Sequence, residues 1–157
     1  MSKVINKDLN QNIEFKTHIT TLKIHTDIVN CLTVLNDGRL VSGSYDKSII
    51  IYNKQTYQPN IIIQEHQDIV NYLTQLKSEI LGSCSGDKTI KLFNIKENEY
   101  ELIQTLNLHS NCVSKILEFS NNYLVSSSND KTIIFYIKED IKYIKDYSIY
   151  LLIMLII

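Results

Sequence analysis

HTDIVNCLTVLNDGRLVSGSYDKSIIIYN, residues His25 to Asn53, is followed by two further versions of itself. His66 opens HQDIVNYLTQLKSEILGSCSGDKTIKLFN, and His109 opens HSNCVSKILEFSNNYLVSSSNDKTIIFYI. In each version an Asp (Asp46, Asp87, Asp130) falls 21 residues after the His, and the three align without a gap. Eight positions agree in all three: His, Val, Leu, two Ser, Asp, Lys and Ile. The histidines stand 41 and then 43 residues apart. Self-similarity at such a period marks a repeat architecture and outranks every shorter motif in the chain.

The first unit reads as a sheet. Val29, Leu32 and Leu35 are followed by an Asn36-Asp37-Gly38 turn signal. The small-residue run Leu40-Val41-Ser42-Gly43-Ser44 is broken by Asp46-Lys47 and resumes as Ser48-Ile49-Ile50-Ile51-Tyr52. Short β-branched and aromatic runs punctuated by Asn, Asp and Gly read as antiparallel strands joined by tight turns. Asn60 to Gln64, carrying Ile61-Ile62-Ile63, supplies a fourth strand. The chain is therefore predicted to be all-β, with each unit one four-stranded sheet of about 40 residues, the size of a propeller blade.

Over about residues 20 to 140 the sequence resembles the WD-repeat β-propeller family. His25, His66 and His109 stand at the family's Gly-His position, and Ser42, Ser83 and Ser126 at its second-strand serine. Asp46, Asp87 and Asp130 stand in its tight turn; Tyr52, Phe93 and Tyr136, six residues later, stand at its Trp. The resemblance implies a buried relay of Asp, His, Ser and the aromatic residue that ties turn to sheet. Two departures follow the same positions. Ile24, Glu65 and Leu108 replace the Gly before the His, and no unit keeps the Trp or the Asp after it. Tyr52 and Tyr136 can still offer a hydroxyl, whereas Phe93 cannot, so the second blade is expected to be the least well tied. Three repeats imply an incomplete ring, since propellers typically have at least four blades. An unpaired edge at each end invites self-association, giving an open fan, a dimer tending to six blades, or an aggregate.

Length and charge set limits. At 157 residues the chain could be one ordinary domain, and a net charge of −1 gives no basic footprint for nucleic acid. Cys31, Cys84 and Cys112 are odd in number and lack CxxC spacing, so neither a disulfide framework nor a metal site is indicated. Cys31 and Cys84 fall in predicted strands and read as small buried hydrophobes. No cofactor is expected, and a cytoplasmic setting, or a nuclear one, fits. The chain has no Ala and no Trp, and Arg39 is its one Arg, a skew that follows AT-rich codons.

Residues 1–16 form a polar segment without a secretory apolar region, read as a frayed terminus or the remnant of an earlier blade. Residues 17–146 hold the blades, with repeats starting at 25, 66 and 109. Thr17 to Ile24 matches the strand that precedes each His, and the resemblance implies that such a strand fastens the last blade of a ring. Lys138 to Lys145 supplies a last outer strand. Residues 147–157 (YSIYLLIMLII) are uncharged and apolar. As a helix they would span about 16 Å against a bilayer core of about 30 Å, so a membrane anchor would need a helix begun before Lys145. A buried strand, or sequence read past a lost exon boundary, is the preferred reading of this tail, and no membrane partner is expected.

His25, Ser42 and Asp46 have the composition of a hydrolase triad, but the trio recurs three times and no Gly-rich elbow supplies an oxyanion site. Ser85-Gly86-Asp87-Lys88-Thr89 lacks the spacing of a phosphate loop. His18, outside the repeat pattern, reads as polar surface. No enzyme is expected. Binding is what the architecture favours. Residues three and five after each His flank the Val at strand spacing and face away from it, Val29 and Val70 pointing into the stack. The resemblance implies that these positions, with the residue before each turn Asp, line the upper face. They are Ile28, Asn30 and Tyr45; Ile69, Asn71 and Gly86; Cys112, Ser114 and Asn129. Apolar and aromatic groups beside amides suit a peptide or protein partner. The implied function is a protein–protein interaction scaffold. The alternative is a non-functional fragment of a larger WD-repeat protein, such as a ubiquitin-ligase receptor or a signalling scaffold.

Overall fold

A computed structural model describes residues 21–120, 123–140 and 142–145. The segments 1–16 and 147–157, together with His18 and Thr17 to Thr20, lie outside the described residues.

Three antiparallel sheets of four strands each follow one another along the chain. The first holds β1 (Val29–Val34), β2 (Leu40–Ser44), β3 (Ile49–Tyr52) and β4 (Pro59–Ile63). The second holds β5 (Val70–Gln75), β6 (Leu81–Ser85), β7 (Ile90–Ile95) and β8 (Tyr100–Leu106). The third holds β9 (Val113–Ser120), β10 (Tyr123–Ser128), β11 (Ile133–Glu139) and β12 (Lys142–Lys145). Each sheet is ordered as its sequence is, one blade per repeat, as the spacing of the units predicts. Among the described residues the set is open, not closed into a ring.

The β2–β3 turn and its counterparts explain the Asp-Lys pair. Lys47, Lys88 and Lys131 have φ of 72°, 73° and 71°, a left-handed conformation that costs a residue with a Cβ some steric energy. Its compensation comes from the preceding aspartate, whose Oδ1 accepts from the backbone N–H and the hydroxyl of Ser48, Thr89 or Thr132. The turn is thereby held by a side chain as well as by the ladder.

Blades meet face to face through two cores. The first joins Leu35, Val41, Ile49 and Ile51 of blade 1 to Val70, Leu73, Leu81 and Phe93 of blade 2. The second joins Leu76, Cys84, Ile90 and Leu92 of blade 2 to Val113, Ile116, Leu124 and Tyr136 of blade 3. The approach is close. A Cβ on Gly43 would meet Val70 Cγ1 at 2.6 Å, and one on Gly82 would meet Ile116 Cδ1 at 2.6 Å. Each blade thus has a leading face, turned to the blade before it, and a trailing face, turned to the blade after it.

At the two ends these faces are open. On the leading side, Val29 is 48% and Leu32 62% exposed, whereas Val70 and Leu73 at the same positions of blade 2 are 0% and 3% exposed. On the trailing side, Phe119 is 72% and Ile133 63% exposed, whereas Leu76 and Ile90 are 2% and 0%. The sequence expectation that Val29 points into a stack is therefore corrected, because no described blade precedes it. Thr21 to Ile24 are likewise not a strand. A strand needs a neighbour to satisfy its backbone, and none of the described strands pairs with them.

Candidate functional site

The repeated trio forms one construction in every blade. His25 Nδ1 lies 2.8 Å from Asp46 Oδ2, and Nε2 lies 2.7 Å from Ser42 Oγ. The second blade repeats this with His66, Asp87 and Ser83 at 2.8 and 2.6 Å. The third repeats it with His109, Asp130 and Ser126 at 2.8 and 2.7 Å. Toward an ionised carboxylate Nδ1 carries the proton, and in the neutral ring Nε2 then accepts from the serine. Tyr52 OH lies 3.0 Å from Ser42 Oγ and Tyr136 OH 3.3 Å from Ser126 Oγ, so the relay reaches the third strand in blades 1 and 3. In blade 2 it stops at Ser83, whose single hydroxyl proton has the Lys91 carbonyl, at 3.4 Å, as its alternative acceptor. Phe93 is buried there and meets Tyr100 edge-on at 5.9 Å.

The hydrogen bonds of the trio keep its carboxylates ionised. Burial alone would push the Asp46 carboxyl up; hydrogen bonds from the Ser48 hydroxyl and amide, the Thr26 amide and His25 outweigh it, and the carboxyl lies below the ordinary carboxylate range. The same opposition lowers Asp87, where burial is outweighed chiefly by His66 and Thr89. Asp130 is lowered first by the Thr132 hydroxyl, against burial, and then by His109 and the Ser110 amide. The serine hydroxyls are buried in the sheets, so no substrate reaches a nucleophile at any of the three trios. Burial also pushes the Cys31 thiol up to about 11 and raises the Cys84 thiol well above its ordinary value, in keeping with their reading as small hydrophobes. Among the described residues no cluster of His, Cys, Asp and Glu could hold a metal ion.

Of the residues expected on the upper face, two in each blade are brought together as a pair. Tyr45 N–H donates to the Ile28 carbonyl, Gly86 N–H to that of Ile69 and Asn129 N–H to that of Cys112, each at 2.9 Å. Ile28 and Tyr45 are exposed, Ile69 and Cys112 half-buried. At Gly86 the missing side chain leaves room for Asp68, whose Oδ2 would lie 2.8 Å from an added Cβ. Asn30 and Asn71 are engaged differently from their neighbours. Asn30 Nδ2 donates to the Val70 carbonyl at 3.1 Å and Asn71 Nδ2 to the Val113 carbonyl at 2.9 Å, so both tie one blade to the next. No described blade follows Ser114, which donates to Asn129 Oδ1 within its own blade.

Sequence reasoning missed Asp27, Asp68 and Asn111, whose Oδ1 atoms accept from the backbone N–H of Ile28, Ile69 and Cys112. They shape the loop that presents each pair. The signal was available, since all three stand two residues after a repeat His.

Comparison with known proteins agrees with this construction. The family described as "WD domain, G-beta repeat" matches residues 16–53 and 100–136. The structure of U3-55K is 28% identical, with a TM-score of 0.65 over 78% of this chain and 38% of that one. The structure of the RRP9 WD40 repeats gives the same identity, coverage and TM-score. The crystal structure of the WD40 beta propeller domain of Doa1, at 24% identity, shares the fold, with a TM-score of 0.67 over 74% of this chain and 39% of that one. The chain thus spans 38–39% of the length of these structures. No curated protein sequence matches it significantly.

Proposed function

Because this chain belongs to the WD-repeat β-propeller family, we propose that it is a protein–protein interaction module that binds a peptide or protein segment on its upper face. The observation that carries this reading is the pairing of the exposed Ile28 with the exposed Tyr45 on blade 1, with the half-buried Ile69 at the position of Ile28 on blade 2. Exposed apolar groups grouped on one rim are more easily explained by a partner that covers them than by solvent. Tyr45 adds an aromatic of the kind enriched where truncation costs most binding energy. With Asn30 and Asn71 spent on the blade junctions, the polar contribution on this face falls to Ser114 and Asn129 and to the carboxylates of Asp27 and Asp68. A reducing, cytosolic setting is proposed with it, given the free thiols.

The test is recovery of partners by pull-down with the full chain and with the triple variant Ile28→Asp, Tyr45→Ala, Ile69→Asp, after circular dichroism has shown the variant folded. Recovery should fall about tenfold or more. Undiminished recovery by a folded variant overturns this face as the site. A second reading, that the chain is a non-functional piece of a larger propeller, is favoured by the 38–39% of those structures' length that it spans. It predicts that the unmodified chain recovers no partner at all.

A further inference from the structure

The same parts build both internal junctions. At each one the Val four residues after a repeat His, Val70 or Val113, is buried against the trailing face of the blade before it. At each, an Asn of that earlier blade donates its amide to the carbonyl of this Val. A third set of these surfaces exists, divided between the two ends of the molecule. Val29, Leu32 and Val34 lie open on the leading face of blade 1, and Leu117, Phe119 and Ile133 on the trailing face of blade 3.

We propose that a second copy of this chain covers both. The leading face of blade 1 of each copy seats on the trailing face of blade 3 of the other, closing six blades into a two-fold ring. The argument is continuity with the junctions already present. The open trailing face carries Ile133 and Phe119 at the positions where Ile49 and Leu35, then Ile90 and Leu76, receive the next blade. A head-to-tail contact grows into a filament unless its rotation closes, and six blades fall within the four to eight that rings of this kind hold. Closure by two-fold symmetry makes two seams at once and leaves neither apolar face in water.

The seam between copies differs from the internal junctions in two links. Ser114 stands where Asn30 and Asn71 reach across. Val34 stands where Gln75 and Glu118 each accept a backbone N–H from the preceding blade, at 2.6 Å. The seam is therefore apolar, with fewer hydrogen bonds, and the dimer should dissociate at about micromolar concentration. This inference concerns the end faces and is independent of the upper-face reading.

Sedimentation velocity on the full chain over a roughly hundredfold concentration range tests it. The expected result is a reversible step from one chain mass to twice that mass, with no larger species. Leu32→Asp and Phe119→Asp, both at exposed positions, should each weaken self-association by about tenfold or more. Mixing the two variants should restore a dimer, because one seam then carries neither substitution. Ser114→Asn, which restores an amide to the seam, should tighten association by about two- to tenfold. A monomer at every concentration, a ladder of growing masses, a Leu32→Asp chain that dimerises like the parent, or no gain from Ser114→Asn would each overturn the proposal.

Discussion

Ile90 and Ile133 hold the same place in successive blades; one is sealed between sheets and the other faces water. Their residue type and register are identical, so the difference lies in whether a blade follows. Burial in this molecule is a property of junctions, and stability should behave as a sum of blade terms and nearest-neighbour terms. Among the described residues the middle blade has two junctions and each end blade one. This bears on the middle blade's incomplete relay. A missing hydroxyl is worth about 0.5–1.5 kcal/mol, whereas each large apolar side chain removed from water contributes about 1.5–3. Covering a second face outweighs the missing link, and the middle blade should be the best held of the three.

The sharpest way to break that comparison is to truncate the same residue in two blades. In chain dilute enough to be monomeric, Ile90→Ala should cost about 2–5 kcal/mol by transfer and cavity terms. Ile133→Ala should stay within about 0.5 kcal/mol. Urea midpoints of the two variants decide it, and equal losses would mean that blade 3 is covered by something else.

The relay offers the next contrast. Asp87→Ala removes the 2.8 Å partner of the buried His66 Nδ1, leaving it the Thr89 hydroxyl at 3.4 Å, and takes away the acceptor of the Gln67 and Thr89 amides and of the Thr89 hydroxyl, for a loss of about 2–3 kcal/mol. Asp130→Ala should shift the urea midpoint the same way but less, since its blade has one junction. An unchanged midpoint in the Asp87→Ala chain would show that the relay does not hold the turn.

Acid should act through the same three carboxylates. Asp46, Asp87 and Asp130 are all lowered in the folded chain, so their contribution is complete above the ordinary carboxylate range and is lost as pH falls below about 4. Urea midpoints should hold level above about pH 5 and drop below about pH 4, with a shallower drop in the Asp87→Ala chain. A drop equally steep in that variant would place the acid sensitivity elsewhere.

The relay's last link sets a smaller effect, at Phe93→Tyr. A hydroxyl there can approach Ser83 as Tyr52 approaches Ser42, adding at most about 1 kcal/mol, and less if Tyr100 must move from the ring edge. Thermal unfolding of the variant against the parent reads this directly; destabilisation would mean that the edge-on contact matters more than the relay's last link.

Blades and relay were legible in the sequence for one physical reason. A His, a Ser and an Asp that must meet across three strands can do so only at fixed register, and so they recur at fixed spacing. Val29 was misread because alignment assigns a position within a blade and is silent on whether a neighbour exists to cover it. The junction role of Asn30 and Asn71 is not legible in the same way, because their partners are backbone carbonyls 40 and 42 residues on, which leave no mark in side-chain chemistry. A trace of that role does exist, in that the Asn recurs where a blade follows and gives way to Ser114 where none does.

Hydrogen exchange in β2, β6 and β10 of the monomeric chain tests the junction account most directly. These strands are equivalent, each paired on both sides within its own sheet, so they differ in the junctions their blades make. The account predicts that Leu81–Ser85 amides in β6 exchange slowest, with those of β2 and β10 opening more readily because each blade has one face uncovered. Exchange in β6 as fast as in β2 and β10, or faster, would contradict it and would make the relay, not the junctions, the main support of each blade.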